Sequence, residues 1–416
     1  MNKISIIASL TVFFASLTGL SAERYVGGDI SLLPEYEAAG AQYKDHDGKP
    51  INDLLPYLYD EGMNAMRVRL FVNPDDYKGT DKDPNACQDL EYIIPLCKRI
   101  VDDGFALMLD FHYSDTWADP AKQWTSDAWK DLSDEELYVK IHDYTKESLE
   151  TLKENGITPG FIQTGNEISF GMLWGGYGSA EKDLKKTFMG SEANWERLGN
   201  LLKEAGSACR EVCPDAKIVI HTERVGDIPV QKNFYEKMKS LNVDYDIIGI
   251  SYYPYFHGSM QQLNSALTSL ETYFPEKDIM VVETGYSYAW EVPGTDQKVD
   301  YDYSDAGQDE FAKELVETLL AHDKVTGLFW WWMEYNAYNT SLSGWYNAPL
   351  FDSRTGCATS ALKTICSFGT GHNGIEAVEA VDTNDGIRWY DLTGRAANDI
   401  SKPGFYISRQ RKVFVR

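Results

Sequence analysis

The chain has 416 residues, which is enough for one domain of (β/α)8-barrel size and a small appendage. It carries 39 Lys and Arg against 64 Asp and Glu, so its formal net charge is −25. A surface this acidic repels phosphate backbones and anionic lipids. Nucleic acid is therefore excluded as the expected partner, and a neutral substrate is favoured.

An apolar segment opens the chain. Lys3 precedes an uncharged stretch from Ile4 to about Leu20, and the small residues Ser21 and Ala22 follow it. This pattern is typical of a secretory signal peptide and is too short for a membrane anchor. We predict that residues 1–22 are a signal peptide and that the protein acts at the cell surface, outside the cell or in the periplasm. No later segment has the apolar length of a transmembrane helix.

Short apolar runs alternate with longer amphipathic segments after the signal. Eight runs are predicted as strands: Arg24–Ser31, Ala65–Val72, Ala106–Tyr113, Phe161–Glu167, Ile218–Glu223, Ile247–Pro254, Ile279–Ser287 and Gly327–Glu334. Helical patterns between them include Leu90–Asp102, Asp134–Asn155, Ala193–Cys213, Gln261–Tyr273 and Gln308–His322. Eight apolar strands separated by helices indicate a closed parallel barrel. We predict an α/β fold, a (β/α)8 TIM barrel over residues 23–370.

One predicted helix has clear signals at both ends. Ser133 is followed by Glu136, the spacing of a capping box, and Asn155-Gly156 is a plausible helix stop.

The pattern changes after residue 370. Gly371–Gly374 has the composition of a linker, and short alternating runs up to Val415 predict a small C-terminal β tail over residues 371–416. This tail resembles the C-terminal β modules of exported proteins from Bacteroidetes-type bacteria, which are associated with sorting or surface retention. A vestigial tail without function is the alternative.

The six cysteines leave two questions open. An even number of thiols in an exported chain permits disulfides, with a slight preference for local pairs, but the pairing cannot be chosen from sequence. No CxxC or HExxH motif is present, so a zinc site is not predicted.

Two glutamates close separate apolar runs. Glu167 ends the fourth predicted strand, and Glu283 lies near the end of the seventh. A carboxylate at the end of a buried strand is costly to desolvate unless it is paired, so two of them suggest a site. The active sites of such barrels gather at the C-terminal ends of the strands. Two carboxylates brought together there are the minimal equipment for cleaving a glycosidic bond.

Other polar and aromatic residues occupy matching positions at the ends of predicted strands. Each alone could be structural, for example Arg69 as a member of a buried ion pair. Together they predict one functional bowl, formed by Asp29, Arg69, His112, Tyr252, Tyr253 and Trp331.

The motifs at these strand ends resemble those of the endo-β-1,4-galactanases of glycoside hydrolase family 53. The resemblance spans about Tyr25 to Thr364. Its most specific motif is the ten-residue run Phe111–Pro120. The further motifs are Gly28–Ser31, Arg67–Arg69 with Val72–Pro74, Thr164–Ile168 with Gly171–Trp174, Ser251–Pro254 and Val282–Thr284.

The resemblance implies roles for both glutamates in a retaining mechanism. Glu167 would be the general acid/base and Glu283 the nucleophile. Arg69 and a hydroxyl from Tyr252 or Tyr253 could keep Glu283 ionised, while burial and the charge of Glu283 would favour a proton on Glu167. The expected substrates are then β-1,4-galactan, including the type I arabinogalactan side chains of pectin, and galacto-oligosaccharides.

Several residues are expected to contact the sugar. Asn166 is placed to hydrogen-bond a 2-hydroxyl, and Trp331 would form the floor of the cleavage subsite. The remaining candidates, His112, Asp115, Trp117, Trp174 and Trp345, would line the groove, which the loops 174–178 and 336–345 would shape.

No cofactor is expected, and no metal is favoured. Some bacterial family members have a calcium loop after the nucleophile strand, but residues 290–308 lack its ligand spacing. Oxygen atoms of Asp296, Asp300, Asp302 or Asp305 could still bind Ca²⁺. We expect a monomer.

Two alternatives remain at this stage. The first is another retaining barrel endo-glycanase, acting on mannan, glucan or xylan. The second is a glycan-binding protein without turnover, although a pure binder has no reason to keep both acids.

Overall fold

The computed structural model describes residues 23–180, 182–188, 192–289, 292, 299–336 and 348–370, together with five short strands beyond residue 374. Eight parallel strands close into one barrel in chain order. They are β1 Tyr25–Asp29, β2 Ala65–Leu70, β3 Ala106–Phe111, β4 Phe161–Thr164, β5 Lys217–Thr222, β6 Ile247–Tyr252, β7 Asp278–Thr284 and β8 Val325–Trp330. The prediction of a (β/α)8 TIM barrel is confirmed.

Helices connect the strands and cover the outside of the barrel. In chain order they are α1 Leu33–Ala38, α2 Leu54–Glu61, α3 Leu90–Asp102, α4 Asp134–Glu154, α5 Glu192–Val212, α6 Ile228–Ser240, α7 Pro254–His257, α8 Met260–Tyr273, α9 Asp305–Leu320 and α10 Ser360–Thr370. A short hairpin, Tyr43–Lys44 with Pro50–Ile51, lies between α1 and α2. Within the described ranges, no helix combines the length and the apolar character needed to cross a membrane.

The strands end earlier than their apolar runs suggest. The fourth run was predicted to continue to Glu167, but β4 ends at Thr164. Gly165 and Glu167 then adopt positive φ angles of 101° and 47°, which an extended strand does not allow. The chain therefore turns sharply before Glu167, and this residue begins the loop above the barrel.

The two-residue period of each strand divides its side chains between the two faces of the barrel wall. In β2, Met66, Val68 and Leu70 belong to the large core under the helices, whereas Ala65 belongs to a separate inner cluster. The inner cluster fills the lower half of the barrel with Ala65, Met108, Phe161, Val219, Ile247, Met280, Val282 and Phe329. Going up each strand, the inward positions then become polar, and this change builds the site.

Helix α4 has the predicted signals at both of its ends. The backbone N–H of Glu136 donates to Ser133 Oγ at 3.3 Å, and the Ser133 N–H donates to Glu136 Oε2 at 2.8 Å. Asn155 forms the C-cap, and Gly156 follows with a φ of 74°. The predicted capping box and helix stop are confirmed.

The tail forms a small sheet. Strands β9 Ile375–Val378, β10 Trp389–Asp391, β11 Ala396–Ala397, β12 Gly404–Ile407 and β13 Lys412–Val415 are hydrogen-bonded in the order β9-β13-β12-β10-β11. The predicted C-terminal β tail is thus present. The predicted linker Gly371–Gly374 and the predicted signal peptide lie outside the described residues.

The six cysteines are all free thiols. The preference for local disulfides is therefore wrong. Cys209 and Cys213 lie one turn apart on or beside α5, where helical geometry separates their side chains.

Candidate active site

A cleft of about 650 Å³ opens above the C-terminal ends of the strands. Glu167 and Glu283 both line it, so the fold brings together the two acids that the sequence singled out. Its other lining residues are Asp83, Trp117, Ala118, Asp119, Pro120, Lys122, Asn166, Glu223, Tyr253, Phe256, His257, Trp331 and Trp332.

Glu283 faces the cleft because β7 contains an extra residue. On the β6 side, Ile250 pairs with Val281 but Ser251 pairs with Glu283, so the register jumps past Val282. Strand β8 shows the same jump, because Leu328 pairs with Val281 and Trp330 with Thr284. A β-bulge of this kind re-aims the following side chain. Val282 belongs to the inner cluster, and Glu283 turns inward directly after it.

A buried cation and a phenol hold the Glu283 carboxylate. Arg67 Nη2 lies 2.9 Å from Glu283 Oε1, and the Tyr253 hydroxyl donates to Oε2 at 3.3 Å. Burial raises the pKa of Glu283 to about 7, and the Arg67 guanidinium opposes that rise. The same guanidinium contacts Asp110 at 2.7 Å and Asp29 at 3.5 Å, so its charge is shared among three carboxylates.

Glu167 has the opposite electrostatic setting. Its Oε1 lies 2.7 Å from Ser251 Oγ, and no cation contacts its carboxyl group among the described ion pairs. Burial raises the pKa of Glu167 well above its usual range, and the negative charges of Glu283 and Glu223 raise it further. Glu283 is therefore the acid that ionises first, and Glu167 is the one that keeps its proton.

Asn166 lines the cleft directly before Glu167 and shares the Arg67 guanidinium with Glu283. Its Oδ1 accepts from Arg67 Nη2 at 2.9 Å, and its Nδ2 donates to the Ala118 carbonyl at 2.8 Å. These two contacts fix which way the amide points.

Three tryptophans form the aromatic wall of the cleft. Trp331 and Trp332 follow β8, and Trp117 packs against both of them, with ring centroids 6.0 and 5.8 Å away. The Trp331 backbone N–H donates to the Thr284 carbonyl at 2.8 Å, which ties the end of β8 to the end of β7. Flat apolar faces in this position can stack on a sugar ring.

Arg69 does not hold Glu283, and that prediction is wrong. Its Nη1 instead pairs with Asp29 Oδ1 at 2.6 Å, and its guanidinium lies 4.7 Å from the Trp117 ring centroid. Asp29 also accepts from the Ser31 N–H at 3.0 Å. Neither side chain lines the cleft. Arg69 and Asp29 support the aromatic wall from below, and Arg67 is the cation beside Glu283.

Tyr252 is excluded from the cleft by its position in β6. Ser251 and Tyr253 face inward, so Tyr252 faces the helices, where it is fully buried and stacks on Phe311. Its hydroxyl donates to the Gly258 carbonyl at 3.0 Å. Of the two tyrosines left open by the sequence, Tyr253 is the one beside Glu283.

Three further candidates are buried around the cleft without lining it. His112 Nδ1 accepts from the Ala118 N–H at 3.0 Å. Asp115 accepts from the backbone N–H groups of Asn73 and Asp127 at 3.0 and 2.7 Å. Trp174 donates to the Phe170 carbonyl at 3.1 Å. These residues hold loops in place and do not themselves face a ligand. Trp345 lies outside the described residues.

Sequence reasoning did not single out Arg67 beside Glu283, nor several residues that line the cleft. Arg67, Asp119 and Trp332 lie inside the quoted motifs or beside Trp331, but Glu223 and His257 do not. Counting every second residue from Ala65 would have placed Arg67 in the barrel interior, and counting from Val219 would have done the same for Glu223.

The candidate calcium ligands are only partly described. Asp296 lies outside the described residues, and both carboxylate oxygens of Asp305 accept from Ser360, at 2.9 and 2.6 Å. In the described part of the chain, no three His, Cys, Asp or Glu side chains cluster as metal ligands would.

An eight-stranded (β/α)8 barrel with two acids of opposite electrostatic support in one cleft defines a barrel glycoside hydrolase. The sequence matches the profile of glycosyl hydrolase family 53 over residues 25–365, and the chain belongs to that family.

Individual relatives agree with this placement. The chain is 32% identical over 364 residues to a probable arabinogalactan endo-beta-1,4-galactanase A of Neosartorya fischeri, covering 83% of this chain and 93% of the relative. It is 30% identical over 329 residues to an endo-beta-1,4-galactanase of Bacillus subtilis, covering 77% and 72%. Among solved structures, the family 53 catalytic domain of Ignisphaera aggregans matches with a TM-score of 0.71 and 32% identity, covering 84% of this chain and 97% of that domain.

Proposed function

We propose that this glycoside hydrolase cleaves internal β-1,4-galactosidic bonds in galactan and in the type I arabinogalactan side chains of pectin, with retention of anomeric configuration. The observation that carries the proposal is the unequal support of the two acids. Arg67 and Tyr253 contact Glu283, whereas Glu167 is half-buried and, among the described contacts, has a serine hydroxyl and no cation against its carboxyl group. A glycosidase with one acid and one ionised carboxylate needs this difference, and membership of the family supports the retaining outcome.

The first step forms a covalent intermediate. The Glu283 carboxylate attacks the anomeric carbon, while Glu167 gives its proton to the leaving glycosidic oxygen, so the C–O bond breaks as the new C–O bond forms. In the second step, Glu167 takes a proton from water, which attacks the anomeric carbon and releases Glu283. Every atom comes from substrate, water or the two glutamates, so the chemistry requires no cofactor.

The galactan specificity rests on the relatives. Those from Neosartorya fischeri and Bacillus subtilis are named for endo-beta-1,4-galactanase activity. The cleft supports an action inside a chain, because it is open above the barrel and has Trp331 and Trp117 as stacking faces. We further propose that Asn166 binds the 2-hydroxyl of the sugar whose bond is cleaved.

The wider context of the proposal comes from the sequence. Residues 1–22 would direct export, and the protein would act as a monomer at the cell surface, outside the cell or in the periplasm. The tail would serve in sorting or retention.

The test replaces each acid in turn. Glu283→Ala and Glu167→Ala should each lower kcat/KM on linear galactan by more than about 1,000-fold. Circular dichroism and the thermal midpoint should stay close to those of the parent protein. Unchanged turnover in either variant would contradict the assignment. A reducing-sugar assay on mannan, glucan and xylan provides the specificity control, since each of these sugars differs from galactose in its hydroxyl groups and leaves different hydrogen bonds unmade.

Azide then separates the two roles. With a dinitrophenyl β-galactobioside, azide should rescue Glu167→Ala and give the β-galactosyl azide, because azide replaces water in the second step. With Glu283→Ala it should give the α-azide, because azide replaces the missing nucleophile. The reverse pattern of products would exchange the roles of the two glutamates.

A further inference from the structure

A chain of buried hydrogen bonds connects Arg67 to Glu167 across the barrel interior. Arg67 Nη2 lies 2.9 Å from Asn166 Oδ1, which lies 2.9 Å from His221 Nδ1. His221 Nε2 lies 2.8 Å from Ser251 Oγ, and Ser251 Oγ lies 2.7 Å from Glu167 Oε1. Neither His221 nor Ser251 lines the cleft, so neither is placed to touch a substrate.

The Arg67 guanidinium determines the direction of these hydrogen bonds. A guanidinium only donates, so Asn166 Oδ1 must be the acceptor, and the donation of Nδ2 to the Ala118 carbonyl fixes the same orientation. The 2.9 Å separation between Asn166 Oδ1 and His221 Nδ1 therefore needs a hydrogen on Nδ1. Burial lowers the pKa of His221 well below its usual range, so the ring is neutral and Nε2 has no hydrogen.

Two N–H groups also lie near His221 Nδ1 but do not reverse this assignment. The side-chain nitrogen of Gln163 is 3.2 Å away, and its two hydrogens have acceptors in Asp110 Oδ1 at 2.5 Å and in the Gly165 carbonyl at 3.2 Å. The backbone N–H of Glu167 is directed at Nδ1, but at 3.4 Å this contact is longer than the one to Asn166. The shortest contact of Nδ1 is with an obligatory acceptor, and it decides the tautomer.

The remaining two bonds follow from that tautomer. A bare Nε2 accepts the hydroxyl hydrogen of Ser251, so the Ser251 oxygen offers a lone pair to its other neighbour. That neighbour is Glu167 Oε1. The serine hydroxyl would donate to an ionised Glu167, but with its hydrogen on His221 Nε2 the contact instead needs a proton on Glu167. We infer that Asn166, His221 and Ser251 form a one-way hydrogen-bond relay from the Arg67 cation that holds Glu167 in its protonated, acid form.

This inference rests on the proposed function and deepens it. Arg67 contacts the Glu283 carboxylate directly, which favours its ionised form, and acts on Glu167 only through the relay, which favours the protonated form. One cation thus favours opposite protonation states in the two acids. His221 and Ser251 are positioning residues, because they act through Glu167.

Other charged groups face Glu167 and are left unchanged in the test. They are Glu283 and Tyr253 on the β6–β7 side, Glu223 after β5, Asp119 after β3, Lys122 and His257 in the cleft lining, and Arg67, which contacts Glu283.

The experiment compares Ser251→Ala and His221→Phe with the parent protein on two substrates. The leaving group of linear galactan is a sugar hydroxyl that needs a proton, whereas the dinitrophenolate that leaves dinitrophenyl β-galactobioside needs none. We expect kcat/KM on galactan to fall by about 10- to 100-fold in both variants, with a change of less than about three-fold on the dinitrophenyl substrate. Ser251→Thr, which keeps the hydroxyl, should restore most of the loss.

The pH dependence of kcat/KM tests whether the relay keeps Glu167 protonated. The alkaline limb of kcat/KM on galactan reports the pKa of Glu167. Ser251→Ala removes the acceptor for the Glu167 proton, and His221→Phe frees the Ser251 hydroxyl to donate to the ionised carboxylate. Both changes favour the ionised form, so the alkaline limb should move to lower pH in both variants.

Thr222→Val is the matched control. Thr222 lies beside His221 in β5, is fully buried and bonds the Tyr235 hydroxyl at 3.0 Å on the helix side of the barrel. The Thr222→Val variant should leave kcat/KM on both substrates and the position of the alkaline limb unchanged. The relay would be overturned if the losses were equal on both substrates with an unmoved limb, or if the limb moved to higher pH. Either result would leave the proposed function standing as long as Glu167→Ala and Glu283→Ala remained inactive.

Discussion

Tyr252 and Tyr253 are adjacent and chemically identical, yet only one of them faces the cleft. The Tyr253 hydroxyl donates to Glu283 Oε2 at 3.3 Å, whereas the Tyr252 hydroxyl donates to the Gly258 carbonyl on the helix side. The strand period alone creates this difference. The pair therefore allows a single hydroxyl to be removed from either face of the same strand.

Tyr253→Phe should lower activity and shift its pH dependence. A donor to Glu283 favours the ionised form, so its loss should raise the pKa of Glu283 further above its usual range. The enzyme needs Glu283 ionised, and the acid limb of kcat/KM should therefore move to higher pH, with a loss of about ten-fold at neutral pH.

Tyr252→Phe is the control for that measurement. It should leave the acid limb in place and change kcat/KM by less than about two-fold, while the free energy of unfolding falls by about 1 kcal/mol for the lost buried hydrogen bond. Equal kinetic effects of the two substitutions would contradict the assignment of Tyr253 to Glu283.

Most of the helices and strands were predictable from the sequence. Helix α3 was predicted with its observed bounds, and α4 with its cap, because apolar periodicity and capping residues act locally. The inward position of Glu283 has another origin. Strict alternation from Met280 and Val282 would point Glu283 at the helices, and the bulge that reverses this depends on the registers of β6 and β8. A single sequence does not contain those registers.

The sequence also could not show whether Arg67 or Arg69 contacts Glu283. Both face inward in β2, so parity alone does not separate them, and only their heights in the barrel decide which carboxylate each one meets. Such heights depend on the stagger of neighbouring strands, which is a property of the closed sheet.

The capping box of α4 gives a prediction about stability alone. Ser133→Ala removes the side-chain acceptor of the Glu136 N–H at an exposed helix start. The free energy of unfolding should fall by about 1 kcal/mol, measured by urea titration, with kcat/KM on galactan unchanged. A loss of activity without a loss of stability would contradict this purely structural role.

The barrel and the tail should be separable. The family match covers residues 25–365, and α10 ends at Thr370 before the tail strands begin. A chain ending at residue 370 should therefore keep kcat/KM on soluble galactan within about two-fold of the full chain. Retention at the cell surface is the property that should change if the tail has a sorting role.

The matched control is a chain that ends at residue 359. It also removes α10, whose Leu362, Ile365 and Phe368 are buried in the main core. This longer truncation should fail to fold, as shown by the loss of a cooperative thermal transition. If the chain ending at residue 370 also failed to fold, the barrel would depend on its tail.

The extra residue in β7 also matters for reading relatives of this chain. In a strand, the identity of a residue does not determine which face its side chain points to. One residue inserted or deleted upstream turns every later side chain to the other face. A homologue could thus keep a glutamate aligned with Glu283 and still present it to the helices. When new members of the family are screened for activity, the spacing between Val281 and Glu283 is as informative as the glutamate itself.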